Sequence, residues 1–301
     1  MNQQHHHSAH RVAGSSRAFA IGIVLNLVFV VVESVYGVLA DSMALLADAG
    51  HNLSDVLALA LAWAASVLSR REPSVRFTYG LGSTSILAAL INAALLFTIT
   101  GGIAWESILR FAQPAPVATN IVIWVALVGI VINAASAALF AHGREHDINL
   151  RGAFLHMAAD AGVSLGVVIA GIAIAFTGWL WLDPLMGLAI AIVIVASTWS
   201  LLRESVALAL DAVPAHIDPA QVRAWLAQLA GVTEVHDLHI WGMSATDTAL
   251  TVHLVMPGGH PGDEFLSRVC DELGDRFHVH HPTIQIETGA HACELAPDHV
   301  V

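Results

Sequence analysis

The sequence contains no lysine, and charged side chains make up only 12% of its 301 residues. Its formal net charge is -12, so the clustered positive charge that nucleic acid or anionic lipid would require is missing. Only two cysteines occur, Cys270 and Cys293, which are too few for a disulfide framework. These shortages argue against a nucleic-acid partner and against a disulfide-stapled secreted domain.

Apolar residues are abundant instead, forming 56% of the chain and giving a mean hydropathy of +0.69. Such values are typical of a protein that crosses a membrane several times. Six apolar runs predict six transmembrane helices, and therefore an all-α six-helix membrane bundle. The runs are Phe19 to Ala40, Leu45 to Leu68, Ile86 to Leu109, Ile121 to Phe140, Ala153 to Phe176 and Met186 to Leu202.

The arginines predict the orientation of this bundle. Most of them flank alternate loops, whereas only Arg110 lies on the opposite side. Because cytoplasmic loops carry the excess of basic residues, both termini are predicted to be cytoplasmic. The flanking residues are Arg11, Arg17, Arg70, Arg71, Arg76, Arg144, Arg151 and Arg203.

The composition becomes more polar after Arg203, which indicates a separate C-terminal domain. Its periodicity predicts an αββαβ order, which is typical of a small ferredoxin-like α+β domain. The predicted elements are a helix at Pro219 to Leu229, strands at Glu234 to Trp241 and Ala249 to Val255, a helix at Asp263 to Phe277 and a strand at Thr283 to Glu287.

The predicted domain limits follow from these changes. Residues 1–16 form a cytoplasmic N-terminal tail, 17–205 the six-helix transmembrane domain, 206–217 a linker and 218–301 the cytoplasmic domain. The tail contains four histidines, which either bind metal or belong to a disordered end. They are His5, His6, His7 and His10.

Two stretches inside the apolar runs carry the same His-x-x-x-Asp spacing, His51 with Asp55 and His156 with Asp160. On a helix, positions i and i+4 project from one face, so each stretch offers an imidazole nitrogen beside a carboxylate oxygen. Ionisable groups at membrane depth cost at least about 2.5 kcal/mol each and normally face a bundle interior. The two stretches together would complete a four-ligand metal shell. The alternative is two unrelated polar pairs.

Two imidazoles and two carboxylates suit Zn²⁺, which accepts nitrogen and oxygen ligands in a tetrahedron. Cd²⁺ and Co²⁺ are further candidates for the transported ion. A bound Zn²⁺ would be neutralised by Asp55 and Asp160, whereas the empty site would carry a buried charge of -2. Protons should therefore enter as metal leaves, on His51 and His156. This predicts the exchange of about one or two protons per zinc ion.

Several motifs together resemble the cation diffusion facilitator family over nearly the whole chain. They are the run from Leu45 to Asp55, the second pair at His156, the segment His236 to Trp241 and the segment Thr283 to Glu287. The resemblance, closest to bacterial zinc exporters, implies a homodimeric metal/proton antiporter in the inner membrane. It also implies that His51, Asp55, His156 and Asp160 form the transport site, and that the cytoplasmic domain senses metal.

The resemblance also implies regulatory zinc ligands in the cytoplasmic domain, at His236, His253, His280 and Glu287. Neighbouring strands supply His236 and His253, and the other two bracket the last strand, so a sheet could gather them. Further candidates are His281 and Cys293, either for a second ion or as solvated residues.

Asp48 lies one helical turn before His51, and its counterpart before His156 is Ala153. Asp48 either relays ions to the pore or acts as a carboxylate favoured near a helix N-terminus.

Other classes of protein fit the sequence less well. A membrane zinc hydrolase would need a His-Glu-x-x-His helix, which the sequence lacks. A membrane-bound zinc sensor without transport remains the alternative to a secondary transporter.

Overall fold

Six apolar helices precede a small mixed sheet in the part of the chain that the computed structural model describes, residues 24, 26–69, 71–141 and 148–297. The predicted N-terminal tail at 1–16, with its four histidines, lies outside the described residues. The start of the first predicted span at Phe19 lies outside them as well.

Five of the helices are long and apolar enough to cross a membrane, and the described part of the first is shorter. Their bounds are Asn26–Ala40 (α1), Met43–Ser69 (α2), Thr84–Ala112 (α3), Thr119–Ala141 (α4), Ile148–Thr177 (α5) and Leu182–Ala209 (α6). The prediction of apolar membrane helices is therefore confirmed, with five helices of spanning length and a sixth, shorter apolar helix among the described residues.

A cluster of buried aliphatic side chains and Phe29 forms the centre of the helical unit, which comprises residues up to Ala60 and Asn92–Trp199. Gly129 on α4 permits close packing there, because a Cβ atom at this position would lie 2.7 Å from the ring of Phe29. Small residues that let helices approach closely are typical of membrane bundles. This packing holds α1, α4 and α5 together around the polar groups described below.

The beginning of α2 is fixed by a carboxylate from α6. Asp183 accepts hydrogen bonds from the backbone N–H of Met43 at 2.6 Å and of Ala44 at 3.4 Å, and from the Ser42 hydroxyl. The first N–H groups of a helix have no intrahelical acceptor, and a negative charge there is stabilising. Asp183 therefore anchors the N-terminus of α2, two turns before His51.

The C-terminal residues fold as Pro219–Leu226 (α7), Glu234–Gly242 (β1), Thr248–Val255 (β2), Asp263–Phe277 (α8) and His281–Glu287 (β3). Strand β1 pairs antiparallel with β2, and β2 pairs parallel with β3. The parallel pairing requires a crossover connection, which α8 supplies. Buried side chains of α7 and α8 pack with those of the strands in one apolar cluster.

These C-terminal residues belong to a second unit, which also includes Leu61–Ile91. Within it, the start of α3 and the residue before it contact the β1–β2 hairpin. The Ser83 hydroxyl donates to the backbone oxygen of Met243 at 3.1 Å, and the backbone N–H of Ala245 donates to the Ser85 hydroxyl at 2.9 Å. The hairpin of the sheet is thus hydrogen-bonded to the start of α3.

Candidate metal centres

The first candidate centre joins α2 and α5. All four predicted residues, His51, Asp55, His156 and Asp160, offer ligand atoms within 4.8 Å of one another. Each imidazole lies nearest to the carboxylate of the other helix, with His51 Nε2 3.2 Å from Asp160 Oδ1 and His156 Nε2 3.1 Å from Asp55 Oδ2. The pairs within one helix are longer, at 3.9 and 3.7 Å. These four residues are called the membrane quartet below.

The spacing of the membrane quartet suits a tetrahedral metal ion. With metal–ligand bonds of about 2.0–2.2 Å, a tetrahedron has edges of about 3.3–3.6 Å. The four His–Asp separations, from 3.1 to 3.9 Å, bracket that range. Small side-chain shifts would therefore bring the four atoms onto one ion.

The membrane quartet is closed on one side and open on the other. The Asp160 side chain is 2% exposed, whereas those of Asp55 and His156 are 34% and 41% exposed. A ligand leaving or entering the quartet would therefore pass His156 and Asp55 rather than Asp160.

Asp48 lies outside the membrane quartet and is fully buried. Its Oδ2 accepts a hydrogen bond from the Ser164 hydroxyl at 3.0 Å, and its side chain contacts Glu33 of α1. The N-terminal amides of α2 are taken by Asp183. Asp48 is thus joined to a second polar cluster rather than to the end of its own helix.

The second candidate centre lies on the sheet of the C-terminal domain. His236, His253, Glu287 and Cys293 offer ligand atoms within 4.8 Å of one another and are called the sheet quartet below. His236 and His253 face each other in the β1–β2 register, which brings their rings to 5.3 Å. Glu287 ends β3, and its two oxygens lie 3.3 Å from His236 Nε2 and 3.0 Å from His253 Nδ1.

His236 has the properties of a metal ligand. It is 3% exposed, and its ring nitrogens lie 3.4 Å from Glu234 Oε1 and 3.3 Å from Glu287 Oε2 without forming an aligned hydrogen bond. A buried imidazole flanked by two carboxylates is an arrangement that a divalent ion would stabilise. With two histidines, a carboxylate and a thiol, the donor set suits Zn²⁺. The residues of the sheet quartet therefore fit a zinc ion.

The charge of Glu287 is stabilised by its neighbours. Although burial acts to raise the pKa of Glu287, hydrogen bonds from Gln285 and Cys293 and the charges of nearby His236 and His253 hold it below its ordinary value. Gln285, which faces His253 in the β2–β3 register, donates to Glu287 Oε1 at 2.8 Å. Gln285 thus supports a ligand rather than acting as one.

Asp237 orients His253 from the opposite side of the ring, a role that the sequence reasoning missed. A bulge between His236 and His239 places Asp237 at a φ of 49°, and its Oδ2 lies 3.3 Å from His253 Nε2. A carboxylate on one ring nitrogen leaves the other free for metal and fixes the ring. The available signal was that Asp237 follows a predicted ligand directly in the chain.

The structure does not bring His280 and His281 into the sheet quartet. His281 begins β3 and Glu287 ends it, and a strand advances about 3.3 Å per residue, so the two ends lie about 20 Å apart. His280 is exposed beside Gly274, and the ring of His281 packs edge-on against Tyr79 at 5.2 Å. Cys293, from the segment after β3, stands where His280 was expected.

Comparison with known proteins agrees with both parts of this architecture. The model of the cation efflux transmembrane domain matches residues 19–208, and the model of the cation efflux protein cytoplasmic domain matches residues 214–289.

Curated relatives cover nearly the full length. The metal cation efflux system protein CzcD of Cupriavidus metallidurans is 36% identical over 96% of this chain and 92% of its own length. The zinc transporter ZitB of Escherichia coli is 36% identical over 95% and 93%. A cadmium, cobalt and zinc/H(+)-K(+) antiporter of Bacillus velezensis is 32% identical over 95% and 93%. The chain therefore belongs to the cation efflux family, the cation diffusion facilitators that its motifs resemble.

Proposed function

We propose that this protein exports Zn²⁺ from the cytoplasm by alternating access, in exchange for protons, through His51, Asp55, His156 and Asp160. The observation that carries this proposal is the cross-pairing of two imidazoles and two carboxylates between α2 and α5 at 3.1 and 3.2 Å. The Escherichia coli relative is named a zinc transporter, and the Bacillus velezensis relative is named for cadmium, cobalt and zinc. Cd²⁺ and Co²⁺ are accordingly further candidate ions.

Charge balance supports proton exchange. Two carboxylates neutralise one divalent ion, so departure of the ion leaves a charge of -2 among apolar helices. Such a charge is strongly disfavoured, and protonation of His51 and His156 removes it. The next metal ion must displace those protons, because a metal ligand has to be deprotonated. Proton-for-zinc exchange is therefore expected from the two imidazoles and two carboxylates of the membrane quartet.

We further propose that zinc regulates transport from the C-terminal domain. His236, His253, Glu287 and Cys293 would hold the ion, and Asp237 would orient His253. A zinc ion there would be bound by residues of β1, β2 and β3 together. Because the ion would bind only the arrangement that brings these ligands together, its binding would stabilise that arrangement of the domain. The match to the cytoplasmic domain of the family supports this assignment.

The remaining features of the proposal come from the sequence. The protein would act as a homodimer in the bacterial inner membrane, with both termini in the cytoplasm. Its domains would be a tail at 1–16, a transmembrane domain at 17–205, a linker at 206–217 and a ferredoxin-like metal-sensing domain at 218–301. The positions of the arginines and the αββαβ order of elements support these limits.

Flux measurements test the proposal against the alternative of a zinc sensor that does not transport. The full-length protein is reconstituted in liposomes loaded with a zinc-sensitive dye, and zinc entry is followed with an imposed proton gradient. Asp55→Asn and Asp160→Asn should abolish flux, whereas Glu264→Gln, on an exposed position of α8, should not. Flux that persists in both quartet variants would refute the transport site, and equal flux without a proton gradient would refute the coupling.

A further inference from the structure

A pair of carboxyl groups lies inside the helical unit, outside the membrane quartet. Glu33 of α1 and Asp48 of α2 are both fully buried, at 0% exposure. The two side chains are in contact with each other. Neither belongs to the four residues whose ligand atoms cluster on α2 and α5.

Half of the oxygen atoms in this pair have a donor and half do not. Glu33 Oε2 accepts from the Asn52 amide at 3.1 Å, and Asp48 Oδ2 accepts from the Ser164 hydroxyl at 3.0 Å. Glu33 Oε1 and Asp48 Oδ1 are buried without any hydrogen-bond donor. Two ionised carboxylates cannot hydrogen-bond to each other, because neither carries a hydrogen. A proton on one of the two carboxyl groups would let that group donate a hydrogen bond to the other.

The electrostatic surroundings favour that proton. The ionisable groups that act on the pair from neighbouring positions are His51 on α2 and Asp160 on α5. The chain has no lysine that could neutralise the pair. Adjacent buried carboxylates do not both ionise, because each like charge opposes the other and burial opposes both. The metal-free protein should therefore hold one proton here.

The donors to the pair come from the same helices as the membrane quartet. Asn52 directly follows His51 in the chain, and Ser164 lies one turn after Asp160. A divalent ion in the quartet adds positive charge beside the pair, which lowers the affinity of the pair for its proton. Movement of α2 against α5 would also change the hydrogen bond from Ser164 to Asp48, which joins these two helices.

We propose that Glu33 and Asp48 form a proton site separate from the metal ligands, which binds one proton in the metal-free protein and releases it when metal enters the quartet. This proposal rests on the function proposed above, because it assigns part of the proton exchange to residues that do not touch the ion. The pair acts as one titrating unit, so its proton belongs to both residues.

The existence of the proton is tested first, on the metal-free full-length protein in detergent. Infrared spectroscopy should show the C=O stretch of a protonated carboxyl group, shifted in D₂O and lost on addition of Zn²⁺. The band should be absent from Glu33→Gln and from Asp48→Asn. A wild-type protein without such a band, or with a band that zinc leaves unchanged, would overturn the proposal even if no variant folded.

The release of the proton is tested by measuring how many protons the protein releases for each zinc ion that it binds. Zinc is added to the protein in weakly buffered solution containing a pH indicator, and protons released per bound zinc are measured. Each single variant should release about one proton fewer than wild type, and the double variant no fewer than the singles, because one proton is shared. Glu106→Gln is the matched control. Its carboxylate is ion-paired with Arg110 at 3.1 Å, so its loss should leave proton release unchanged.

The outcomes separate this proposal from the proposed function. Absence of zinc flux in the reconstituted wild type would refute the transport function itself. Normal proton-coupled flux, together with unchanged proton release in Glu33→Gln and Asp48→Asn, would refute only the carboxyl-pair site. Size-exclusion profiles and zinc titrations of the variants establish that they fold and retain the quartet.

Discussion

The two aspartates of the membrane quartet should contribute unequally to zinc binding, although their sequence contexts are alike. Asp160 is 2% exposed and Asp55 is 34% exposed. Replacing Asp160 by Asn removes a charge that water cannot replace, at the cost of about 3–5 kcal/mol typical of breaking a buried charge pair. That cost corresponds to a loss of affinity of about 150-fold to 5,000-fold.

Asp55→Asn should weaken binding much less. Its partial exposure leaves room for a water ligand beside the ion, so the expected cost is about 1.5–3 kcal/mol, the range for interactions with charged groups. The affinity should then fall about 10-fold to 150-fold. Isothermal titration of the full-length protein with Zn²⁺ measures both values, with competition by a chelator for the wild type.

The ratio of the two losses tests the reasoning. Equal losses, or a larger loss for Asp55→Asn, would mean that the exposure of the two carboxylates in this structure does not govern access to the ion. Unchanged affinity in both variants would mean that the quartet does not bind zinc. Asn has the same shape as Asp, so a change in packing does not account for the comparison.

Three further outcomes are expected elsewhere in the chain. Asp183→Asn should lower the free energy of unfolding of the detergent-solubilised protein by about 1–2 kcal/mol, because the N-terminus of α2 loses a negatively charged acceptor. Asp237→Asn should weaken zinc binding at the sheet quartet about 10-fold to 100-fold, as expected for a residue that orients His253, with no change in flux at saturating zinc. Zinc affinity of the sheet quartet should fall as the solution is made more acidic, because protons compete with the metal for the ligand atoms. Glu287, whose pKa is held below its ordinary value, should be the last of its ligands to lose metal-binding capacity in acid.

Local spacing was enough to predict the membrane quartet. The i, i+4 pairs follow from helical geometry alone, and the cost of ionisable groups in a membrane indicates that the two pairs face inward. The cross-pairing of His51 with Asp160 and of His156 with Asp55 depends on how α2 packs against α5. No spacing within either helix encodes that contact.

Predictions for the cytoplasmic domain were less complete, because its ligands come from separate elements. His236 and His253 lie on predicted neighbouring strands, and their register places them face to face. His280 and Glu287 were expected together since they bracket one strand, but an extended strand separates its ends. Cys293 follows β3 in an irregular segment, where periodicity gives no information about position.

The carboxyl pair shows the same limit within the membrane helices. Glu33 lies in an apolar run, where a polar side chain is expected to hydrogen-bond to another helix, and its contact with Asn52 fits that role. Its second partner, Asp48, could not be predicted, because the contact joins different helices and depends on their rotation. A polar residue in an apolar run predicts a partner but not which partner.

A final prediction concerns the contact between the sheet and the start of α3. Ser83 and Ser85 each make one hydrogen bond to the β1–β2 hairpin, at 3.1 and 2.9 Å, and a hydrogen bond contributes about 1 kcal/mol net. The double variant Ser83→Ala, Ser85→Ala should therefore weaken the link by about 2 kcal/mol. If zinc in the sheet quartet regulates transport through this hairpin, the variant should keep its zinc affinity there but lose zinc-dependent activation of flux. Ser69→Ala, which removes only a hydrogen bond within α2, is the control. Activation that survives the double variant would mean that the signal does not pass through these two serines, since the variant lacks both hydroxyl groups that bond to the hairpin.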